Sequence, residues 1–142
     1  MLTTPADYWF SRCVRERAEW TCENCGKQYH EGDQGLHCSH FFGRGNWAVR
    51  FEPLNAFAHC FSCHMHFEGN PHEFVAWAHF EKIGTGKYPL LVELSNDLMR
   101  GKEYRRTKGK GEIAAHYKAE FERMQAERAK GKRGRIEFVG WL

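Results

Sequence analysis

Four of the six cysteines in this sequence form two CxxC pairs, Cys22 with Cys25 and Cys60 with Cys63. Thiolates at this spacing are typical ligands of tetrahedral structural zinc, so the two pairs predict one Zn(Cys)4 centre. The pairs lie 35 residues apart, and a shared zinc ion would therefore hold the ends of a long loop together. Unrelated or redox-active thiols are the alternative interpretation of the same pattern.

Three polar residues of types that phosphodiester hydrolysis can use follow the first cysteine pair. His40 and Asn55 lie inside the loop, and His64 directly follows the last cysteine. The reaction needs a general base, a cation and stabilisation of the leaving oxygen. An imidazole with a pKa of about 6.5 suits the base, and a second imidazole can be a ligand of a divalent cation. Either histidine can instead be a buried structural residue or an extra zinc ligand, and Asn55 an ordinary turn residue.

The order of these residues resembles the zinc-bearing HNH, or ββα-metal, nucleases. In that family the first histidine lies on a hairpin, the asparagine in the turn, and the last histidine on the helix after CxxC. The sequence is similar more narrowly to the lambdoid phage NinG/Rap recombination nucleases. The segments that carry this resemblance are Cys22–Gly26, His37–Phe42, Arg50–Asn55, Cys60–His64 and Gly69–Pro71.

The resemblance implies a fold and an activity. The implied fold is α+β, with a zinc-stapled ββα-metal (HNH) core, an N-terminal helix and a helical C-terminal extension. The implied activity is a metal-dependent DNA endonuclease that acts on branched recombination intermediates such as Holliday junctions. His40 would be the general base, Asn55 would orient the strand that carries it, and His64 would bind a catalytic Mg²⁺ or Mn²⁺ ion. Because such junctions are twofold symmetric, we also expect a homodimer, formed through the apolar stripes of the C-terminal helices.

One residue departs from the family pattern. Many relatives have a metal-binding Asp just before the first histidine, whereas this sequence has Ser39, and a hydroxyl is a weak ligand. His66, Glu68 or His37 could complete the metal site. Two alternatives to a junction nuclease stay open: a sequence-specific or nonspecific HNH nuclease that cuts duplex DNA, and a noncatalytic zinc module that binds DNA or protein.

Charge and composition provide the remaining expectations about DNA binding, domain organisation and location. The 142 residues carry a net charge of +3, yet residues 100–135 hold 13 Lys and Arg against 5 Asp and Glu, as expected of a DNA-binding segment. We therefore predict a nuclease core over residues 1–84 and a basic extension over 85–142. No long apolar run and no signal-like start are visible, so a cytoplasmic protein without a membrane partner is expected, in the host cytoplasm if the gene is phage-borne.

Basic side chains in two regions are candidates for phosphate contacts, with ordinary surface solvation as the alternative. Arg44 lies in a glycine-flanked loop beside Trp47, where a guanidinium could clamp phosphate and the indole could stack on a base. The other candidates are Arg50, Arg105, Arg106, Lys108, Lys110, Lys132 and Arg133.

Local patterns predict the elements that position these residues. Thr4 and Pro5 begin a helix to about residue 19, with Arg12, Arg15 and Arg17 pointing away from its packed face. A loop-rich hairpin should follow, with strands near 36–42 and 48–51, and then a short helix over 56–67. Further helices are predicted over 70–84, with Asn70 as its cap, over 88–99 and over 113–131. A basic loop over 101–111 and a short terminal strand over 135–141 complete the prediction.

Overall fold

The structure, a computed structural model, describes residues 2–107 and 110–142. Its fold is mixed α+β, with helices surrounding a small two-stranded antiparallel sheet and a cluster of four cysteines. Among the described residues, no helix combines the length and the apolar character that crossing a membrane requires.

Helix α1 spans Pro5–Arg17 and confirms the predicted start at Thr4. The hydroxyl of Thr4 accepts from the backbone N–H of Asp7 at 3.2 Å, and the Asp7 carboxylate accepts from the backbone N–H of Thr4 at 2.8 Å. Such a reciprocal capping box satisfies two backbone donors that a helix start leaves unpaired. The same carboxylate reaches into the protein interior, where it pairs with Arg50.

The sheet pairs β1 (Leu36–His40) with β2 (Ala56–Cys60), and His40 lies opposite Ala56. The predicted first strand is thereby confirmed, whereas the predicted strand over 48–51 is wrong, since these residues form turns. The predicted helix over 56–67 is also wrong in its first half. Residues 56–60 are all buried, and a short, fully buried apolar run does not distinguish a strand from a helix by its periodicity.

Helix α2 (Phe61–Gly69) begins directly after β2, with Cys60 at its N-cap position. Helix α3 (Pro71–Ala76) continues as a π-helical segment over Trp77–Ile83 and ends at Gly84, as predicted. Asn70 does not cap α3, because its side-chain amide instead donates back to the carbonyl oxygen of His66 at 2.8 Å.

The C-terminal half contains α4 (Tyr88–Ser95), α5 (Leu98–Arg106) and α6 (Glu112–Ala129). The predicted helix over 88–99 is divided here, since Asp97 caps the start of α5, and the predicted basic loop over 101–111 is helical as far as Arg106. Lys108 lies outside the described residues. The terminal segment 135–141 forms no strand, although Ile136 and Phe138 are buried in the core.

The main hydrophobic core combines both halves of the chain. Phe10 and Val14 of α1 pack in one cluster with Tyr117 and Met124 of α6, and Phe51 lies between them. The core therefore takes side chains from both sides of the predicted boundary at residue 84. The apolar stripe of α6 is buried in this core, so it does not provide the dimer surface that we predicted from the sequence.

The arginines of the basic C-terminal segment largely bind glutamates. Arg100, Arg128 and Arg135 pair with Glu52, Glu16 and Glu23 of the N-terminal half at 2.5–3.2 Å, and Arg106 and Arg123 pair with Glu103 and Glu120 on their own helices. Three of these arginines therefore connect the segment to the N-terminal half, and two more are paired within their own helices.

Candidate active site and metal centre

The four cysteines of the two CxxC pairs converge. Each sulfur atom lies within 4.8 Å of the other three, and the Sγ atoms of Cys25 and Cys60 are 3.8 Å apart. Four sulfurs at about 2.3 Å from a tetrahedral zinc ion would lie about 4 Å from one another. The cluster that Cys22, Cys25, Cys60 and Cys63 form can therefore bind one zinc ion, as their spacing predicts.

Backbone contacts around Glu23 bring the two pairs together. The Glu23 backbone N–H donates to the carbonyl of Ala58 at 2.8 Å, and its carboxylate accepts from the Ala58 N–H at 2.7 Å. The first CxxC pair is thus fixed against β2, next to Cys60. Gly26 closes the turn of this pair with a φ of 80°, a conformation that glycine adopts without steric penalty.

The thiols differ in acidity according to their surroundings. Burial opposes ionisation of Cys22, but backbone N–H groups of Cys25, Cys60 and Asn24 outweigh it and lower the pKa to about 7. Burial and the neighbouring thiols raise the pKa of Cys63 to about 12. Repulsion between neighbouring thiolates therefore limits how many of the four cysteines ionise, and a bound divalent cation would offset this repulsion.

A large cleft opens between α1, β1 and α2. It has a volume of ≈ 990 Å³, and His37, His40, Arg44, His64 and Glu68 are among the residues that line it. The two histidines that the sequence singled out thus share one cavity, although one comes from a strand and the other from a helix.

His40, at the end of β1, has a defined tautomer. Its Nε2 lies 3.0 Å from the carbonyl oxygen of Arg50, and because a carbonyl only accepts, Nε2 must carry the hydrogen. In the neutral ring the lone pair is therefore on Nδ1. Burial lowers the pKa of His40 to about 4, so the ring is neutral near pH 7.

Asn55 fixes the loop between the two strands. This fully buried side chain accepts from the N–H of Phe42 at 2.8 Å and donates to the carbonyls of Phe42 and Val49, both at 2.9 Å. Since Phe42 is two residues beyond His40, these bonds hold the end of β1 in place. Asn55 is outside the residues that line the cleft.

His64 lies in the first turns of α2 and contacts a second imidazole. Its Nδ1 is 3.0 Å from Nδ1 of His37, and its Nε2 is 3.8 Å from the carboxylate of Glu68, one helical turn later. Burial and the neighbouring charges of His64 and Arg15 lower the pKa of His37, which favours the neutral ring. His66, another sequence candidate, instead bonds to Glu73 and is not among the cleft residues.

The predicted phosphate-binding arginines separate into two groups. Arg44 lines the cleft, with 29% of its side chain exposed and its guanidinium 3.7 Å from the Asp7 carboxylate. Arg50 is buried, and its Nε and Nη2 donate to the two oxygens of Asp7 at 3.0 and 2.7 Å. The structure therefore corrects the prediction that Arg50 contacts DNA, because its guanidinium is committed to an internal ion pair.

Arg105 and Arg106 lie on α5, away from the cleft. Both are exposed; Arg105 lies over the Trp47 ring at 6.0 Å, and Arg106 bonds to Glu103 at 2.7 Å. Trp47 itself is partly buried against Phe51, with ring centroids 6.2 Å apart, rather than fully open for base stacking. Contact of either arginine with DNA would take place outside the cleft that holds the two histidines.

One face of α1 also lines the cleft, which the sequence did not reveal. Tyr8, Ser11, Arg12 and Arg15 recur at helical spacing along this face. The guanidinium of Arg15 lies 4.8 Å above the Trp20 ring, and burial lowers its pKa. The spacing of Arg12 and Arg15 in the sequence indicates a basic helix face. Only the packing of α1 shows that this face lines the same cleft as the histidines.

No models of protein families, no curated proteins and no solved structures match this chain.

Proposed function

We propose that this chain is a metal-dependent DNA endonuclease of the ββα-metal (HNH) type, stabilised by a structural zinc ion on its four clustered cysteines. The observation that carries the proposal is the shared cleft. A neutral imidazole from the hairpin, His40, and an imidazole from the following helix, His64, line one cavity, and Arg15 and Arg44 line it as well. A base, a metal ligand and two cations in one cleft match the requirements of phosphodiester hydrolysis.

In the proposed reaction His40 takes a proton from the attacking water through Nδ1, while the Arg50 carbonyl keeps the ring in the required tautomer. Arg44 and Arg15 bind the non-bridging oxygens of the scissile phosphate. His64 would hold a divalent cation, which would supply positive charge to the phosphate and to the leaving 3′-oxygen. The products are a 5′-phosphate end and a 3′-hydroxyl end.

The proposed substrate is branched DNA such as a Holliday junction, and the proposed active form is a homodimer. The resemblance to recombination nucleases supports the substrate, and the twofold symmetry of junctions supports the dimer. Since the stripe of α6 is buried, the dimer surface must lie elsewhere. Leu98 and Met99, which are 80% and 71% exposed at the start of α5, are among the exposed apolar side chains of that half.

A noncatalytic zinc module that binds DNA is the second candidate. Ser39 favours it, because the residue that replaces the usual metal-binding Asp is 1% exposed and does not line the cleft. The two candidates differ in one outcome, since a binding module leaves the phosphodiester backbone intact with every metal.

The test is a cleavage series with Holliday junction, flap and linear duplex of matched sequence, in Mg²⁺ or Mn²⁺. We expect the wild type to cut the junction fastest, and His40→Ala to be at least about 100-fold slower, as is typical when a general base is removed. His66→Ala is the matched control, because this histidine is on α2 outside the cleft. Equal cleavage rates on all three substrates would refute the preference for junctions and favour ordinary duplex DNA as the substrate. A wild type that cuts none of them would favour the noncatalytic binding module.

A further inference from the structure

The contact between His37 and His64 offers metal ligands in place of the acidic side chain that Ser39 replaces in the family pattern. This inference rests on the proposed nuclease function. We propose that His37 and His64 are paired imidazole ligands of the second, catalytic metal ion, with Glu68 as its carboxylate ligand. The site thereby selects transition ions of the Mn²⁺ class over Mg²⁺.

The distance between the two rings supports the assignment. Two nitrogens that each lie about 2.1 Å from one ion, at right angles to each other, are about 3.0 Å apart. The Nδ1 atoms of His37 and His64 are separated by 3.0 Å. The two rings stand at 81° to each other, and both line the cleft that also contains His40.

The surroundings of the pair explain why Ser39 is not a ligand. His37 lies opposite His59 in the sheet, and the start of α2 brings His64 to it. Ser39 is buried and outside the cleft, so its hydroxyl does not reach an ion bound there. His37, three residues before His40, would thus provide a metal ligand from the strand that also carries the proposed general base.

Glu68 is the acidic side chain that lies nearest to this pair in the cleft. Its carboxylate contacts the Nε2 atom of His64, whereas the His37 contact uses Nδ1. Because 64% of the Glu68 side chain is exposed, it can turn toward the Nδ1 side when an ion binds. Two imidazoles and one carboxylate leave positions open for water and phosphate, and nitrogen donors favour transition ions over the oxygen-preferring Mg²⁺.

The test measures Mn²⁺ binding to the full chain by the loss of the free-ion electron paramagnetic resonance signal, with one zinc per chain verified beforehand. We expect one Mn²⁺ per wild-type chain, and Mg²⁺ should compete at least about tenfold less well. Changes in groups that only support a ligand weaken metal affinity 10–100-fold, so His37→Asn and His64→Asn should each weaken it by at least about tenfold. Glu68→Gln should also weaken it.

His66→Asn is the matched control, since it removes an imidazole from the same helix on a side that does not line the cleft. It should leave the Mn²⁺ affinity unchanged. Wild-type affinity in His37→Asn would overturn the proposal, and so would absence of Mn²⁺ binding to the wild type. Pulsed resonance of the bound ion adds a test without variants: two coordinated imidazole nitrogens support the site, and one or none overturns it.

Cleavage assays separate this inference from the proposed function. A wild type that binds Mn²⁺ through two imidazoles but cuts no DNA would refute the nuclease and leave the metal site intact. A His37→Asn protein that binds metal and cuts DNA as well as the wild type would refute the role of His37 and leave the nuclease intact.

Discussion

Replacing Asn55 by Ala should damage both stability and the geometry of His40. The substitution removes three hydrogen bonds, one from the N–H of Phe42 and two to the carbonyls of Phe42 and Val49, all in the interior. A typical hydrogen bond contributes about 1 kcal/mol net, and each buried partner left unsatisfied costs about 1–3 kcal/mol. Allowing for relaxation and water entry, we expect the free energy of unfolding to fall by about 3–5 kcal/mol.

The assay is urea unfolding of zinc-loaded protein, followed by the circular dichroism of the helices. Asn46→Ala is the matched control, because this partly buried asparagine of the same loop loses bonds to Ala48 and to Ser95 and should cost about 1–2 kcal/mol. DNA cleavage by Asn55→Ala should also fall, under conditions where the protein stays folded, because the end of β1 is no longer held.

Asn55→Asp provides a stricter form of the same test. The carboxylate can still accept from the Phe42 N–H, but it faces two carbonyl oxygens to which the amide donated. Its destabilisation should therefore equal or exceed that of Asn55→Ala. A loss below about 1 kcal/mol for both variants would refute the view that this side chain fixes the loop.

Three further predictions concern the charges and the metal. Arg50→Ala should lower the free energy of unfolding by about 3–5 kcal/mol in urea, since it removes two charge-assisted hydrogen bonds from the buried Asp7 carboxylate and leaves that group to Thr4 and the more distant Arg44. Arg44→Ala should cost less stability and reduce the salt dependence of DNA binding by about one phosphate contact. His40 has a pKa of about 4 in the folded protein and about 6.5 in the unfolded chain, so the free energy of unfolding should fall as the pH drops from about 6.5 toward 4. The contribution of His40 to this loss is about 2 kcal/mol at pH 5. Urea midpoints measured as a function of pH should show that His40→Gln lacks this contribution. Cys63→Ser should abolish cooperative unfolding and zinc content measured by mass spectrometry, because structural zinc contributes about 10–16 kcal/mol, while Cys38→Ser should retain one zinc.

Sequence patterns were sufficient where the chemistry is local. The Thr4–Pro5 helix start, the ends of the helical segments at Gly84 and near Gly131, and the convergence of the four cysteines all follow from capping, backbone freedom and ligand spacing. The mixed α+β class followed in the same way. These features depend on residues that are close in sequence or on ligand types with one preferred geometry.

Only the tertiary structure decided which side chains face the cleft and which are internal. From the sequence, Arg44 and Arg50 are equally good candidates for phosphate contacts. In the structure, the guanidinium of Arg50 is buried in an ion pair with Asp7. The apolar stripe of α6 predicts an interface, and packing on α1 makes it an internal one. His37 and His64 meet because β1 and α2 are neighbours through the sheet register, and such long-range pairing is not encoded in the spacing of either residue.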